Sequence, residues 1–384
     1  MVKVAHFSDT HLGHKQYNLD EREQDIYDAL DEIARRIKEE HVDVIVHSGD
    51  LFDTSRPTPQ AYRAFKKFLS KVDKHIPIFA VLGDHDRPKS RGLPPHALFD
   101  DRVRVLGVEG AAEQQTIKID GKDVLIAGLS NLSYTYRDLL VTEMRKLAKL
   151  SLNPLSILLL HEGIDKFFKI KEACELAWDD VPKNFGYIAM GHLHSRIKAS
   201  YGTGMLGYAG SSEIIRKDEI ADWEKNGKGL YIVDLDEKTQ VRNVNLECIR
   251  PQVDATLSYL RFDSQLLELA GKLDTTKKKP VVNVCVEGTE INRQAVYQSL
   301  NDALAGKALI VRPEIVDTTH IELPKVERGA FQMEQVLQAY FKNEDPAGLA
   351  VEMFKHLKQG EIDEARRLAD EYFKRAEKND NNQS

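Results

Sequence analysis

The segment IPIFAVLGDHD, residues 76–86, is an apolar run that ends in Gly83, Asp84, His85 and Asp86. The run reads as a buried strand, and titratable residues at its end read as chemistry placed at a strand terminus. Four other segments repeat the design. FSDTHLG (7–13) carries Asp9 and His11, and SGDLFD (48–53) carries Asp50 and Asp53. LLLHEG (158–163) carries His161, and MGHLHS (190–195) carries His192 and His194.

Working outward, VKVAHF (2–7), VDVIVHSG (42–49) and IPIFAVLG (76–83) are expected strands. A helix from about Glu21 to Glu40 separates the first two, with Ile26, Leu30, Ile33, Ala34 and Ile37 at helical spacing. PQAYRAFKKFLSKV (59–72) is a second helix with Pro59 at its start. Strands alternating with helices of this length imply βαβ units and a parallel sheet. TIKIDGKDVLIAG (116–128) then reads as a hairpin turning at Asp120-Gly121. SILLLH (156–161) and GYIAMGH (186–192) are further strands, and residues 197–248 suggest antiparallel ones. The expected fold is an α/β sandwich of two sheets.

Arg250-Pro251 marks a plausible boundary, so residues 1–249 form the first domain. Residues 250–320 read as a small α/β unit, with helices near 263–273 and 292–304 and strands at 281–286 and 308–313. Residues 321–384 read as a linker and three amphipathic helices, carrying for example Val336 and Tyr340, Leu349 and Met353, and Leu368 and Tyr372. There is no internal repeat.

Of the 384 residues, 42% are apolar and 30% charged, with a net charge of −7. That is ordinary for a globular chain and argues against a basic, histone-like binder, though not against a local nucleic-acid groove. Cys174, Cys248 and Cys285 form no CxxC and read as reduced, buried thiols of a cytoplasmic protein. The N-terminus becomes charged within ten residues, so no signal peptide is expected, and no apolar run is long enough to span a bilayer.

Residues two apart on an extended chain point the same way, so D-x-H and H-x-H each aim both side chains at one point. The set joins imidazole nitrogen to carboxylate oxygen without thiolate, which suits Mn, Fe, Zn or Co better than Ca or Mg. Three Asp and four His exceed one ion's needs and match two, a clamp for in-line attack on phosphorus. A lone His after a strand is usually a loop residue, and His6 and His47, inside strands, are expected to be packing residues. Asp53 and Asp86 read as loop caps as readily as ligands. The ordered series of five is what sets the site apart.

That series, D-x-H, GD, GDHD, H, then GH-x-H, resembles the calcineurin-like metallophosphoesterase superfamily over about residues 1–245. SDTHLG and HSGDLFDTSRPTP narrow the resemblance to the DNA double-strand-break repair nucleases of the meiotic recombination eleven type. The resemblance implies that Asp9, His11 and His194 hold one metal, that Asp84, His161 and His192 hold another, and that Asp50 bridges them. His85 would contact the scissile phosphate and serve the leaving oxygen. It also implies two Mn2+ per subunit, 3′→5′ exonuclease action on duplex ends, and endonuclease action on single strands. Two departures stand out: many relatives have Asn at position 84, and some have His at position 53.

Further expectations follow. His14, Lys15, Arg56, Arg87, Lys89 and Arg91 could grip DNA phosphates. Apolar residues of 59–72 left over from the core, with Leu98-Phe99, could make a two-fold homodimer. Residues 250–320 resemble the family's capping domain. The C-terminal helices resemble its docking segment for an ABC-type ATPase with a long coiled coil. The alternatives are another dinuclear-metal phosphoesterase acting on small substrates, or a subunit that mainly bridges DNA ends.

Overall fold

The computed structural model describes residues 1–88, 92–150, 152–168, 174–274, 276–318, 344–358, 361, 364–369 and 371–372. Its first sheet is built from β1 (Val2–Phe7), β2 (Val44–Ser48), β3 (Ile78–Val81) and β4 (Val103–Val105), all parallel. β11 (Gly229–Leu235) and β12 (Gln240–Asn245) extend it antiparallel beyond β1, in the order β12-β11-β1-β2-β3-β4. The second sheet runs β5 (Glu113–Ile119), β6 (Lys122–Leu129), β7 (Ser156–His161), β8 (Tyr187–Gly191), β10 (Gly204–Tyr208) and β9 (Ile197–Tyr201).

The two sheets face each other. Val4, Val46, Phe79 and Val81 of the first pack against Ile126, Ile157, Leu159 and Tyr187 of the second. α1 (Asp20–Glu40) and α2 (Pro59–Lys71) cover the outer face of the first sheet, and α3 (Arg137–Leu147) covers that of the second. Thr58 caps α2 by accepting from the Ala61 N–H at 3.2 Å, with Pro59 in the first turn. α1 begins with Asp20, Glu21 and Glu23 and ends on His41 in the left-handed region, φ 51°. The expected sandwich is therefore present, with the strands, helices and the Asp120-Gly121 turn as read.

Three features differ from the reading. β10 pairs parallel with β8, so residues 197–248 are not wholly antiparallel. β4, three residues long, and α3 were not anticipated. All of Ala61, Phe65, Phe68, Leu69 and Val72 are buried in the core under α2, as is Phe99, leaving only Leu98 of that set exposed.

The chain separates into two compact units, Met1–Ala255 with Glu268–Val284 and Asn301–Arg312, and Thr256–Leu267 with Cys285–Leu300 and Pro313–Ser384. After the sandwich in chain order comes a three-stranded sheet, β13 (Gln252–Ser258), β14 (Val281–Gly288) and β15 (Ile310–Asp317), together with the helices Phe262–Leu273 and Arg293–Leu304. A helix at Glu344–Lys358 and a helical stretch at 364–369 follow. The helix expected around Met333–Phe341, with Lys89 and Arg91, falls outside the described residues. None of the three cysteines is in a disulfide, and among the described residues no helix is long and apolar enough to cross a membrane.

Candidate metal centre

The five motif segments leave their strands at one end of the sandwich and converge there. Asp9 and His11 follow β1, Asp50 follows β2, Asp84 follows β3, His161 ends β7, and His192 and His194 follow β8. Close turns bring them in. Asp9, His11, Asp50 and His192 have φ of 49°, 44°, 55° and 89°, a region costly for residues with a Cβ. The backbone pays for this with ladder-like bonds between turns: Asp9 N–H to Gly49 O and His11 N–H to Asp50 O, both at 3.0 Å. Gly83 and Gly191 are required by contact, because a Cβ would lie 2.0 Å from Asp50 Oδ1 and 1.9 Å from Ser48 O respectively.

The side chains form two triplets, Asp9-His11-His194 and Asp84-His161-His192, each with ligand atoms within 4.8 Å of one another. Asp84 Oδ1 is 3.3 Å from both His161 Nε2 and His192 Nδ1. Asp50 lies between the triplets, its Oδ2 3.4 Å from His161 Nε2 and 3.7 Å from His11 Nε2. Burial works against charge on His11, but Asp53, Asp50 and Asp9 outweigh it and raise its pKa to about 9. His161 is likewise buried, yet Asp50 and Asp84 push it well above the usual histidine range.

The donors fit a bound cation. Nε2 of His11 and Nε2 of His194 are 3.2 Å apart, so the two rings converge on one point that either a shared ring proton or a bound cation fills. Asp9 Oδ2 is buried without a hydrogen-bond partner. On their far sides the rings are held. His194 Nδ1 donates to Glu219 Oε1 at 2.7 Å, and His161 Nδ1 donates to Ser48 O at 2.7 Å. His11 Nδ1 is 3.3 Å from Asp53 Oδ1, a charge approach without hydrogen-bond geometry. The outer partners of His194 and His161 set the ring tautomer, leaving the other nitrogen for a metal.

The calcineurin-like phosphoesterase family matches residues 2–196. The DNA double-strand break repair protein Mre11 of Thermoplasma acidophilum is 36% identical over 93% of this chain and 95% of its own length. That of Saccharolobus solfataricus is 34% identical over 94% and 97%. The chain belongs to the Mre11 family of calcineurin-like phosphoesterases. It is accordingly a metal-dependent hydrolase, with divalent ions as its cofactors. A solved dimetal phosphatase from Danio rerio overlaps 64% of this chain and 97% of its own at 14% identity and a TM-score of 0.38, a likeness too remote to bear on chemistry.

The remaining residues divide by place. His85 is exposed, with its Nδ1 donating to Asp53 O at 2.7 Å and its ring edge-on to that of His11, centroids 4.7 Å apart. Asp86 is a buried loop brace: its carboxylate accepts from the N–H groups of Leu51, Phe52 and Gly83 at 3.0–3.1 Å. The Asp53 carboxylate faces imidazoles, adding His14 Nδ1 at 3.0 Å to its approach to His11. Of the expected DNA contacts, Arg56 is exposed, His14 is engaged by Asp53, and Lys15 pairs with Asp20 at 2.5 Å. Arg87 is half-buried, its Nη2 donating to Val108 O at 2.9 Å. His6 and His47 are buried in the sheets, as their places inside strands implied.

Sequence reasoning missed Glu219, Ser48 and Lys228 as supports. Glu219 sits 25 positions from the ring it holds, and no spacing rule links the two.

Proposed function

We propose that this chain is a Mn2+-dependent DNA nuclease acting at double-strand breaks, a 3′→5′ exonuclease on duplex ends and an endonuclease on single strands. The observation that carries this reading is the pair of His-carboxylate triplets flanking Asp50. Asp9, His11 and His194 would hold one ion and Asp84, His161 and His192 a second, with Asp50 between the two triplets available to either. Two ions, rather than one, account for seven donors of nitrogen and oxygen type, a set suited to Mn2+. When bound, the ions lower the pKa of an attacking water and offset charge on the phosphoryl oxygens.

The chain's own residues orient and transfer protons. His85 spends Nδ1 on the Asp53 carbonyl, which fixes the ring and leaves Nε2, 4.0 Å from Asp84 Oδ2, to carry a proton. That proton passes to the departing oxygen. Asp86 holds the 83–86 turn against 51–52, so His85 and Asp50 keep a fixed relation, secured by the His85 N–H bond to Asp50 Oδ1 at 3.0 Å. Exposed Arg56, with His14, Lys15, Arg87, Lys89 and Arg91, supplies contacts to neighbouring phosphates that carry no sequence preference.

In the same reading, residues 1–249 are the nuclease domain and 250–320 a cap over the DNA. Residues 321–384 dock on an ABC-type ATPase with a long coiled coil, and the chain works as a homodimer. Purified protein with Mn2+ and end-labelled duplex, with and without that ATPase, tests the proposal. Products shortened from the 3′ end are expected. Cleavage of a chromogenic phosphodiester with the duplex left whole would refute the DNA reading and favour a small-substrate phosphoesterase.

A further inference from the structure

Lys228 is a fully buried lysine, and nothing in the reaction above uses it. Its three ammonium protons meet three acceptors: His194 O at 2.9 Å, Ser211 Oγ at 2.6 Å and Glu219 Oε2 at 2.6 Å. Glu219, also buried, turns its other oxygen to His194 Nδ1 at 2.7 Å. Ser211 completes the circle, its hydroxyl 2.7 Å from Glu219 Oε2 and its N–H donating to His194 O at 3.1 Å. Both the ring and the carbonyl of His194 are therefore gripped by one closed network.

The backbone is shaped to deliver this lysine. Gly227 and Gly229 flank it with φ of 70° and 145°. A Cβ on Gly227 would lie 2.5 Å from the Asn245 side chain, and one on Gly229 would lie 2.3 Å from Val244 O. A buried ion pair is a weak device for stability, since apolar residues of the same shape serve as well or better. Its value here lies in what it does to one imidazole. Glu219 Oε2 takes bonds from the Lys228 ammonium at 2.6 Å and the Ser211 hydroxyl at 2.7 Å, so the carboxylate is paired with a cation and its Oε1 faces His194 Nδ1 as an acceptor. An ionised Glu219 accepts only, so the proton of His194 stays on Nδ1.

We infer that Glu219 and Lys228 are positioning residues that lock His194 in the tautomer whose Nε2 lone pair faces His11 and Asp9. This rests on the reading of His194 as a metal ligand. The consequence is selective: the ion of the Asp9-His11-His194 triplet depends on the pair, and the ion of the other triplet does not. His161 takes its orientation instead from the neutral Ser48 carbonyl.

The test is E219Q. Its amide oxygen takes the bonds from Lys228 and Ser211, so its NH2 meets His194 Nδ1 and drives the ring proton to Nε2. Two readouts apply. Histidine 13C and 15N shifts of the metal-free protein, with His194→Gln for assignment, report the tautomer. Mn2+ titration followed by electron paramagnetic resonance reports each binding event. The expected result is a switch of His194 to the Nε2-protonated form and an affinity loss of about 10–100-fold for one ion, with the other unchanged. The apolar pair E219L/K228M, which leaves no buried charge, is read the same way in case E219Q does not fold, and it should lose the same ion. An unchanged tautomer with two parent-like binding events in a folded variant overturns the inference. A parent protein that takes up no Mn2+ refutes the metal reading itself, and the tautomer shift then decides this one.

Discussion

Lowering the pH should loosen the sandwich directly beneath the metal centre, through His6. This residue is fully buried on β1, with Nδ1 2.7 Å from Tyr187 Oη of the second sheet and Nε2 2.7 Å from Ser48 Oγ. Burial lowers its pKa from 6.5 to about 3, so the folded ring stays neutral while the unfolded one charges. A depressed folded pKa means the unfolded state binds more protons. The stability is therefore complete above pH 6.5 and is lost as the pH falls below it. Between about pH 7 and about pH 5 the linkage amounts to about 2 kcal/mol, since the unfolded ring becomes almost fully protonated and the folded one does not. Urea unfolding of the metal-free parent and of His6→Gln, each at the two pH values, measures it. The parent should lose about 2 kcal/mol more than the variant. Equal losses in the two proteins would show that His6 titrates as it does in water, and the account of its burial would fall.

Three further outcomes concern the centre. His85→Ala should cut DNA cleavage about 10²–10⁴-fold with Mn2+ stoichiometry intact, and unchanged turnover would remove His85 from the reaction. Asp84→Asn should keep activity but need on the order of tenfold more Mn2+, because a neutral amide replaces an anion 3.3 Å from two imidazoles; no increase would mean Asp84 is not a ligand. Gly83→Ala places a Cβ 2.0 Å from Asp50 Oδ1 and should weaken uptake of both ions in a calorimetric titration, whereas a parent-like isotherm would free Asp50 from its bridging role.

Four of the five strands that carry the centre were legible because each is a fully buried run closed by Gly-Asp, Gly-His or a bare His, and β1 ends similarly in Ser8-Asp9. Ligand spacing in D-x-H and H-x-H is local geometry, so it survives in the linear string. β4 is too short to show a period, and the parallel pairing of β10 with β8 is decided by packing between distant segments. α3 does carry a usable signal, with Leu140, Met144 and Leu147 on one face, but a mostly solvated helix hides it among charges. The supports of the rings were not legible, because a ring nitrogen takes its partner from whichever chain packs beside it. Lys228 left one trace, a lysine between two glycines at the mouth of an apolar strand.

Each triplet draws donors from both sheets: Asp9 and His11 from the first meet His194 from the second, and Asp84 from the first meets His161 and His192. An ion seated in either one is thus a cross-link between the two halves of the sandwich, at the end where the apolar core runs out. Binding and sheet separation are then reciprocal quantities. Whatever pries the sheets apart at that edge must loosen the ions, and by the same free energy a loaded centre resists the prying.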